Sequence, residues 1–60
     1  MTAVAQFEKH GAYTRKLTRQ AQESSSEWNH RIIKAINEQR NAGDTHVKLF
    51  DGCNHDRIAL

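Results

Sequence analysis

The single cysteine of this 60-residue chain is the feature that most limits what it can fold into. A domain of this length hides only about 60% of the surface that its unfolded form exposes, and such chains often depend on disulfides, a metal or oligomerisation. One cysteine cannot close an intramolecular disulfide, although it could cross-link two copies. We therefore expect one small domain over residues 1–60, in a reducing compartment and completed by a second copy as a homodimer.

The composition is polar but sufficient for a core. Hydrophobic residues make up 37% of the chain and charged residues 27%, and the apolar set includes Trp28, so we expect a folded chain and not disorder throughout. No apolar run approaches the ~20 residues of a membrane span, and the amino terminus lacks the apolar segment of a secretory signal. We expect the mature protein to begin at Met1 and to stay in the cytoplasm of its cell or host.

The first segment, about 3–23, has no proline and is rich in Ala, Gln, Lys and Arg, which favour a helix. A thin stripe follows helical spacing and consists of Val4, Phe7, Gly11, Thr14, Thr18 and Ala21. Gly11 either weakens this helix by about 1 kcal/mol relative to alanine or marks close approach of a second helix. Because so thin a stripe cannot hold a helix in water alone, we expect it to pack on a neighbour.

A second helix is predicted over about 25–42. Ser24 and Glu27 have the spacing of a capping box, in which each side chain satisfies exposed backbone donors of the other. The apolar residues at helical spacing are Trp28, Ile32, Ala35 and Ile36, with Ile33 widening the stripe. Gly43 tolerates the left-handed backbone that ends helices. The two helices predict an antiparallel helical hairpin, although the serines could also lie within one long, bent helix.

The period changes after Gly43, where alternation over residues 45–50 predicts a strand. Asp51 and Gly52 are a hairpin-turn signal, and residues 51–60 form a turn and tail that ends in a short return strand or a final helical turn. The expected fold class is α+β, mostly α: a helical hairpin followed by a short C-terminal strand or β-hairpin. The expected dimer core consists of Phe7, Leu17, Trp28, Ile32 and Ile36.

The predicted strand and the tail after it contain the residues that raise the question of a metal or catalytic site, namely His46, Cys53, His55 and Asp56. Their spacing matches no usual zinc signature, and a cysteine near a histidine in sequence is not yet a reactive pair. The chain also has little room for a substrate pocket of ~300 Å³ or more. We expect a loop with no metal, no cofactor and no catalytic residue, and a protein that is not an enzyme.

The basic residues of the first segment form the remaining candidate site: Lys9, Arg15, Lys16 and Arg19. On a helix they would share part of one surface, which is either solvated or turned to an acidic protein or a nucleic acid. A single short, polar strand is a poor platform for stacking bases, which favours the protein. Trp28 is either a core anchor against Phe7 or Leu17 or an anchor in an interface.

Elimination leaves a small interaction protein, a regulator or inhibitor that binds a larger protein and blocks or modulates it. Compact inhibitors made by bacteriophages have this size and type. The alternative is a small nucleic-acid-binding protein that uses the basic first helix. The expected partner-binding residues are Lys9, Arg15, Lys16, Arg19 and Trp28, together with Lys48 and Phe50 on an exposed strand edge over 45–50.

Overall fold

The computed structural model describes residues 3–60, which form two β-hairpins joined by one helix. In chain order the elements are β1 (Ala3–Lys9), β2 (Ala12–Thr18), α1 (Ser25–Asn41), β3 (His46–Asp51) and β4 (Asn54–Ala59). The strands form one antiparallel sheet in the order β2-β1-β3-β4. The expected start of the mature protein at Met1 lies outside the described residues. Between residues 3 and 60, no helix is long and apolar enough to cross a membrane.

The predicted first helix over 3–23 is wrong, and with it the helical hairpin and the mostly α class. β1 and β2 occupy this segment, and Lys9 pairs with Ala12 across a turn made by His10 and Gly11. Both turn residues have positive φ angles, 49° and 85°, as a type I′ turn requires. This turn matches the twist of a hairpin, so it prevails over the modest helix propensity of the flanking residues.

Alternation along β1 shows why the segment is a strand. Ala3, Ala5 and Phe7 are buried against α1, whereas Val4 and Gln6, on the other face of the sheet, are half-buried. This period of two places every second side chain in the core. The small side chains of Ala3 and Ala5 leave room for α1.

The second half of the chain follows its local signals more closely. α1 spans Ser25–Asn41, where the sequence predicts a helix over about 25–42, and the Oγ atom of Ser24 accepts a hydrogen bond from the Glu27 N–H at 3.2 Å. β3 spans His46–Asp51, where a strand is predicted over 45–50, and the tail returns as β4. β3 lies between β1 and β4, so the expected exposed edge is not there.

The core lies between α1 and one face of the sheet of a single chain. Its buried apolar residues are Ala3, Ala5, Phe7, Trp28, Ala35 and Val47, and Leu17, Ile32, Ile36, Leu49 and Leu60 pack against them. Of the residues expected in a dimer core, Phe7 and Trp28 are therefore buried within one chain, and Leu17, Ile32 and Ile36 are partly buried. The homodimer stays a prediction, but the burial of Phe7 and Trp28 does not need it.

Two buried carboxylates tie the helix to its neighbours. Glu23 accepts a hydrogen bond from Arg31 Nη1 at 2.7 Å and another from the backbone N–H of Gln20 at 3.0 Å. Asp44 accepts from Thr14 Oγ1 at 2.6 Å and from Gln39 Nε2 at 2.8 Å. The hydrogen bonds of Glu23 fix the segment that leads into α1, and those of Asp44 join the end of α1 to β2.

The same hydrogen bonds predict that acid destabilises the fold. The Arg31 hydrogen bond lowers the pKa of Glu23, and those of Thr14 and then Gln39 lower the pKa of Asp44, although burial opposes both shifts. A carboxyl with a lowered pKa stabilises the folded state above its unfolded pKa, about 4, and this contribution is lost as the pH falls through the folded value. Urea midpoints measured from pH 7 to pH 3 should fall below about pH 4. The Glu23→Gln variant should show a smaller fall, and an unchanged fall would contradict this role for Glu23.

Replacement of Gly11 distinguishes the hairpin turn from a helix. Gly11→Ala should destabilise the protein by about 1 kcal/mol, because a left-handed backbone at a φ of 85° strains any residue with a Cβ. In a helix the same change would stabilise by about 1 kcal/mol. Nothing lies within 4 Å of the added Cβ, so a clash cannot explain a loss. Chemical denaturation measures the sign, and His10→Asn, which suits the turn, should not destabilise.

Candidate functional site

The sheet has one face turned away from α1, here called the open face. By strand register it carries Tyr13, Lys16 and Thr18 from β2, Val4, Gln6 and Glu8 from β1, His46, Lys48 and Phe50 from β3, and His55, Arg57 and Ala59 from β4. These residues form three rows across the four strands. The open face therefore brings together residues that are up to 55 positions apart in sequence, from Val4 to Ala59.

The middle row is basic. Gln6 pairs with Lys16 on one side and Lys48 on the other, and Lys48 pairs with Arg57. Neighbouring strands lie about 4.8 Å apart, so this row spans roughly 14 Å. Three cations in register across the sheet form the cation row, which consists of Lys16, Lys48 and Arg57.

Glu8 is the one acidic side chain on the open face within the described part of the chain. Its Oε1 atom accepts a hydrogen bond from Arg57 Nε at 2.8 Å, and its Oε2 atom lies 3.8 Å from Lys48 Nζ. The Arg57 hydrogen bonds are the main reason that the pKa of Glu8 lies below its ordinary value. Glu8 thus stays charged and holds two of the cations in place.

The open face has a net positive charge. Its three cations and one carboxylate leave two uncompensated positive charges, and the whole chain has a net charge of +2. Acidic and basic side chains elsewhere therefore cancel. The open face carries the entire positive excess of the protein.

Aromatic and imidazole rings flank the cation row. On one side Phe50 and His55 pair across strands, with ring centroids 5.1 Å apart and an interplanar angle of 66°. On the other side Tyr13, with 60% of its surface exposed, and His46 lie on either side of Glu8. The rings supply flat apolar surfaces beside the charges.

Three of the predicted partner-binding residues meet on the open face, namely Lys16, Lys48 and Phe50. The remaining basic residues do not join them. Arg15 faces α1 and forms an ion pair with Glu38 at 3.2 Å, and Arg19 donates to the Glu23 carbonyl at 3.0 and 3.1 Å.

Two further predicted contact residues lie away from the open face. The side chain of Lys9 packs over Gly43. A Cβ atom added at Gly43 would lie 3.5 Å from the Nζ atom of Lys9. Trp28 is buried in the core, with 7% of its surface exposed, where it packs under Arg31. Neither side chain contributes to the open face.

Sequence reasoning did not single out Tyr13, His46, His55 or Arg57 as contact residues. Alternation alone would place Tyr13 on the wrong face, because the register of β2 against β1 shifts between Phe7 and Glu8 and brings Tyr13 opposite Glu8. His46 reaches the open face through the pairing of β3 with β1, and His55 and Arg57 reach it through β4, for which the turn signal at residues 51–52 left a helical turn as the alternative. The order of the strands in the sheet brings these four residues onto one face.

The four residues that raised the question of a metal or catalytic site are not brought together. Cys53 is exposed in the turn between β3 and β4, His46 and His55 lie in different rows of the open face, and Asp56 lies on the opposite face. Among residues 3–60, no three histidine, cysteine, aspartate or glutamate side chains are placed to hold a metal ion.

Comparisons with protein-family models, with curated proteins and with solved structures found no match. The chemistry of the open face is therefore the observation that bears on function. That chemistry is a row of cations between two rows of rings, with one carboxylate that orients part of the row.

Proposed function

We propose that the chain is a small, non-enzymatic nucleic-acid-binding protein that holds a phosphate backbone on the open face. The observation that carries this proposal is the charge distribution: the positive excess of the protein is confined to one uncovered surface. Phosphate contacts supply most of the sequence-independent affinity for nucleic acids. This revises the alternative drawn from the sequence, because the basic residues act from a sheet and not from a first helix.

The rings favour a nucleic acid over an acidic protein. Cations alone suit either partner, but Tyr13 and Phe50 on both sides of the cation row also offer surfaces on which bases can stack. Arg57, oriented by Glu8, retains donors that can reach phosphate oxygens. Charge and rings together match a polymer that alternates phosphates and bases.

Salt dependence tests the proposal. Fluorescence anisotropy with labelled DNA and RNA oligonucleotides should give dissociation constants of about 10⁻⁴ to 10⁻⁶ M at physiological salt, as is common for sequence-independent binding, and tighter binding at low salt. Contact between three cations and a single strand should give a slope of about −2 in log K against log salt. Absence of salt-dependent binding to any DNA or RNA at low salt would overturn the proposal.

One observation favours the second candidate, a regulator that binds a larger protein. β4 is an edge strand, and all six of its residues are exposed. The Leu60 N–H donates to the Thr45 carbonyl at 2.9 Å, so ladder alternation points the backbone groups of His55, Arg57 and Ala59 to the free side. A partner strand can add there, from a larger cytoplasmic protein or a second copy.

Ala59→Pro tests this edge. Proline removes one outward N–H, which an edge strand tolerates, and blocks strand addition. If β4 binds a partner, the variant should lose a protein that wild type retains on purification from its native cytoplasm, and light scattering should show a loss of any homodimer. Equal retention and equal mass would contradict the second candidate.

A further inference from the structure

We infer that the open face binds single-stranded nucleic acid in preference to duplex, with bases stacked on Tyr13 and Phe50. This inference rests on the proposed function and names the class of ligand. Three features of the molecule carry it: the width of the sheet, the charge balance of α1, and the position of the two rings relative to the cation row.

The width of the sheet argues against a duplex. The major groove of B-DNA is about 12 Å wide and admits a helix or a two-stranded ribbon. The open face has four strands, and its outer strands are roughly 14 Å apart before their side chains are added. A duplex can therefore touch this face mainly through one backbone, whereas a flexible single strand can follow it.

α1 is narrow enough to enter the major groove of a duplex, but its exposed surface lacks an excess of positive charge. Its exposed charged residues are Glu27, Lys34, Glu38 and Arg40, so the two signs balance. Ile33 also lies on this side, with 61% of its surface exposed. The element that could enter a duplex groove thus lacks the positive charge that binding to a duplex requires.

The positions of the Tyr13 and Phe50 rings suit stacking by unpaired bases. Tyr13 and Phe50 lie on opposite sides of the cation row: Phe50 is two residues from Lys48 on β3, and Tyr13 pairs with Glu8, two residues from Gln6 on β1, so each ring is ~7 Å along the strands from the row. A single strand crossing the sheet can place phosphates on the cation row while its bases turn outward onto the two rings. Bases in a duplex are already stacked on one another and cannot use these surfaces.

Gln6 adds a polar group at the centre of the site. It lies between Lys16 and Lys48 in the cation row, and its amide can both donate and accept a hydrogen bond. An unpaired base that reaches the middle of the sheet therefore finds a partner for its hydrogen-bonding edge. In a duplex the Watson–Crick edges are already occupied.

The experiment compares matched oligonucleotides of about ten nucleotides, a length within the usual site size of small single-strand-binding folds. Anisotropy titrations use fluorescein-labelled oligothymidylate and a duplex of equal length. Wild type should bind the single strand at least about 10-fold more tightly, since one stacked base contributes about 1–3 kcal/mol.

Ring variants test the stacking directly. Tyr13→Leu with Phe50→Leu should weaken single-strand binding by about 10-fold or more without changing the salt slope, because the phosphate contacts remain. Tyr13→Phe retains a ring and should bind like wild type, and circular dichroism checks that each variant is folded. Equal binding of the duplex, or ring variants that bind like wild type, would overturn this inference and leave the proposed function intact. Failure to bind either oligonucleotide would overturn both.

Discussion

The variant Lys16→Glu/Lys48→Gln should bind a single-stranded oligonucleotide about 100-fold more weakly than wild type at an ordinary salt concentration of about 0.1 M. It removes three units of positive charge from the open face, and each unit at about 4 Å from a phosphate contributes roughly 1 kcal/mol in water. The salt slope should fall from about −2 to about −0.7, since one cation remains. Arg57 is retained because, once Lys48 is replaced, loss of Arg57 would remove the second of the two cations that pair with the buried Glu8 carboxylate.

The matched control is Lys34→Glu/Arg40→Gln. This pair changes the net charge by the same amount, but both residues are exposed on α1, away from the open face. We expect the control to lose no more than about 3-fold in affinity, because at ordinary salt charges beyond about 10 Å are largely screened. Equal losses in the two variants would show that overall charge, and not the cation row, governs binding. Circular dichroism should show both variants folded.

The helix was predictable because its signals are local. The Ser24–Glu27 capping box fixes the start of α1 within one turn, and Trp28 with Ala35 marks the buried side at helical spacing. The first hairpin lacked comparable signals. His10 occupies a turn position where asparagine or aspartate is usual, and alanine at positions 3 and 5 is a weak marker of a buried strand face. The prediction therefore followed the helix-favouring composition of this segment, although the alternation typical of a strand was present in β1.

Three residues of the candidate site were predictable individually, but the surface that they share was not. Lys16, Lys48 and Phe50 could be proposed from charge and ring chemistry alone. Their neighbours could not, because contacts such as Glu8 with Arg57 join residues 49 positions apart. Such pairing depends on which strands become neighbours, and a period of two in each strand does not specify that order.

Phe7→Ala should have the largest effect on stability. Phe7 is fully buried between the sheet and α1 and pairs with Val47 across β1 and β3. Removing such a ring costs about 3–5 kcal/mol, whereas a domain of this length has a total stability of roughly 3–9 kcal/mol. The melting temperature should fall by at least about 15 °C, or the variant should be unfolded at room temperature. Thermal and urea denaturation followed by circular dichroism measure this loss.

Ile33→Ala is the matched control, because it also removes an apolar side chain but from the exposed side of α1. We expect a change within about 0.5 kcal/mol. A helical hairpin makes the opposite prediction, since Ile33 would then widen the buried stripe and its loss would be costly. Val4→Ala adds a second comparison: Val4 and Phe7 share one stripe on a helix but lie on opposite faces of β1. A large loss for Phe7→Ala with small losses for the other two is expected only of the sheet.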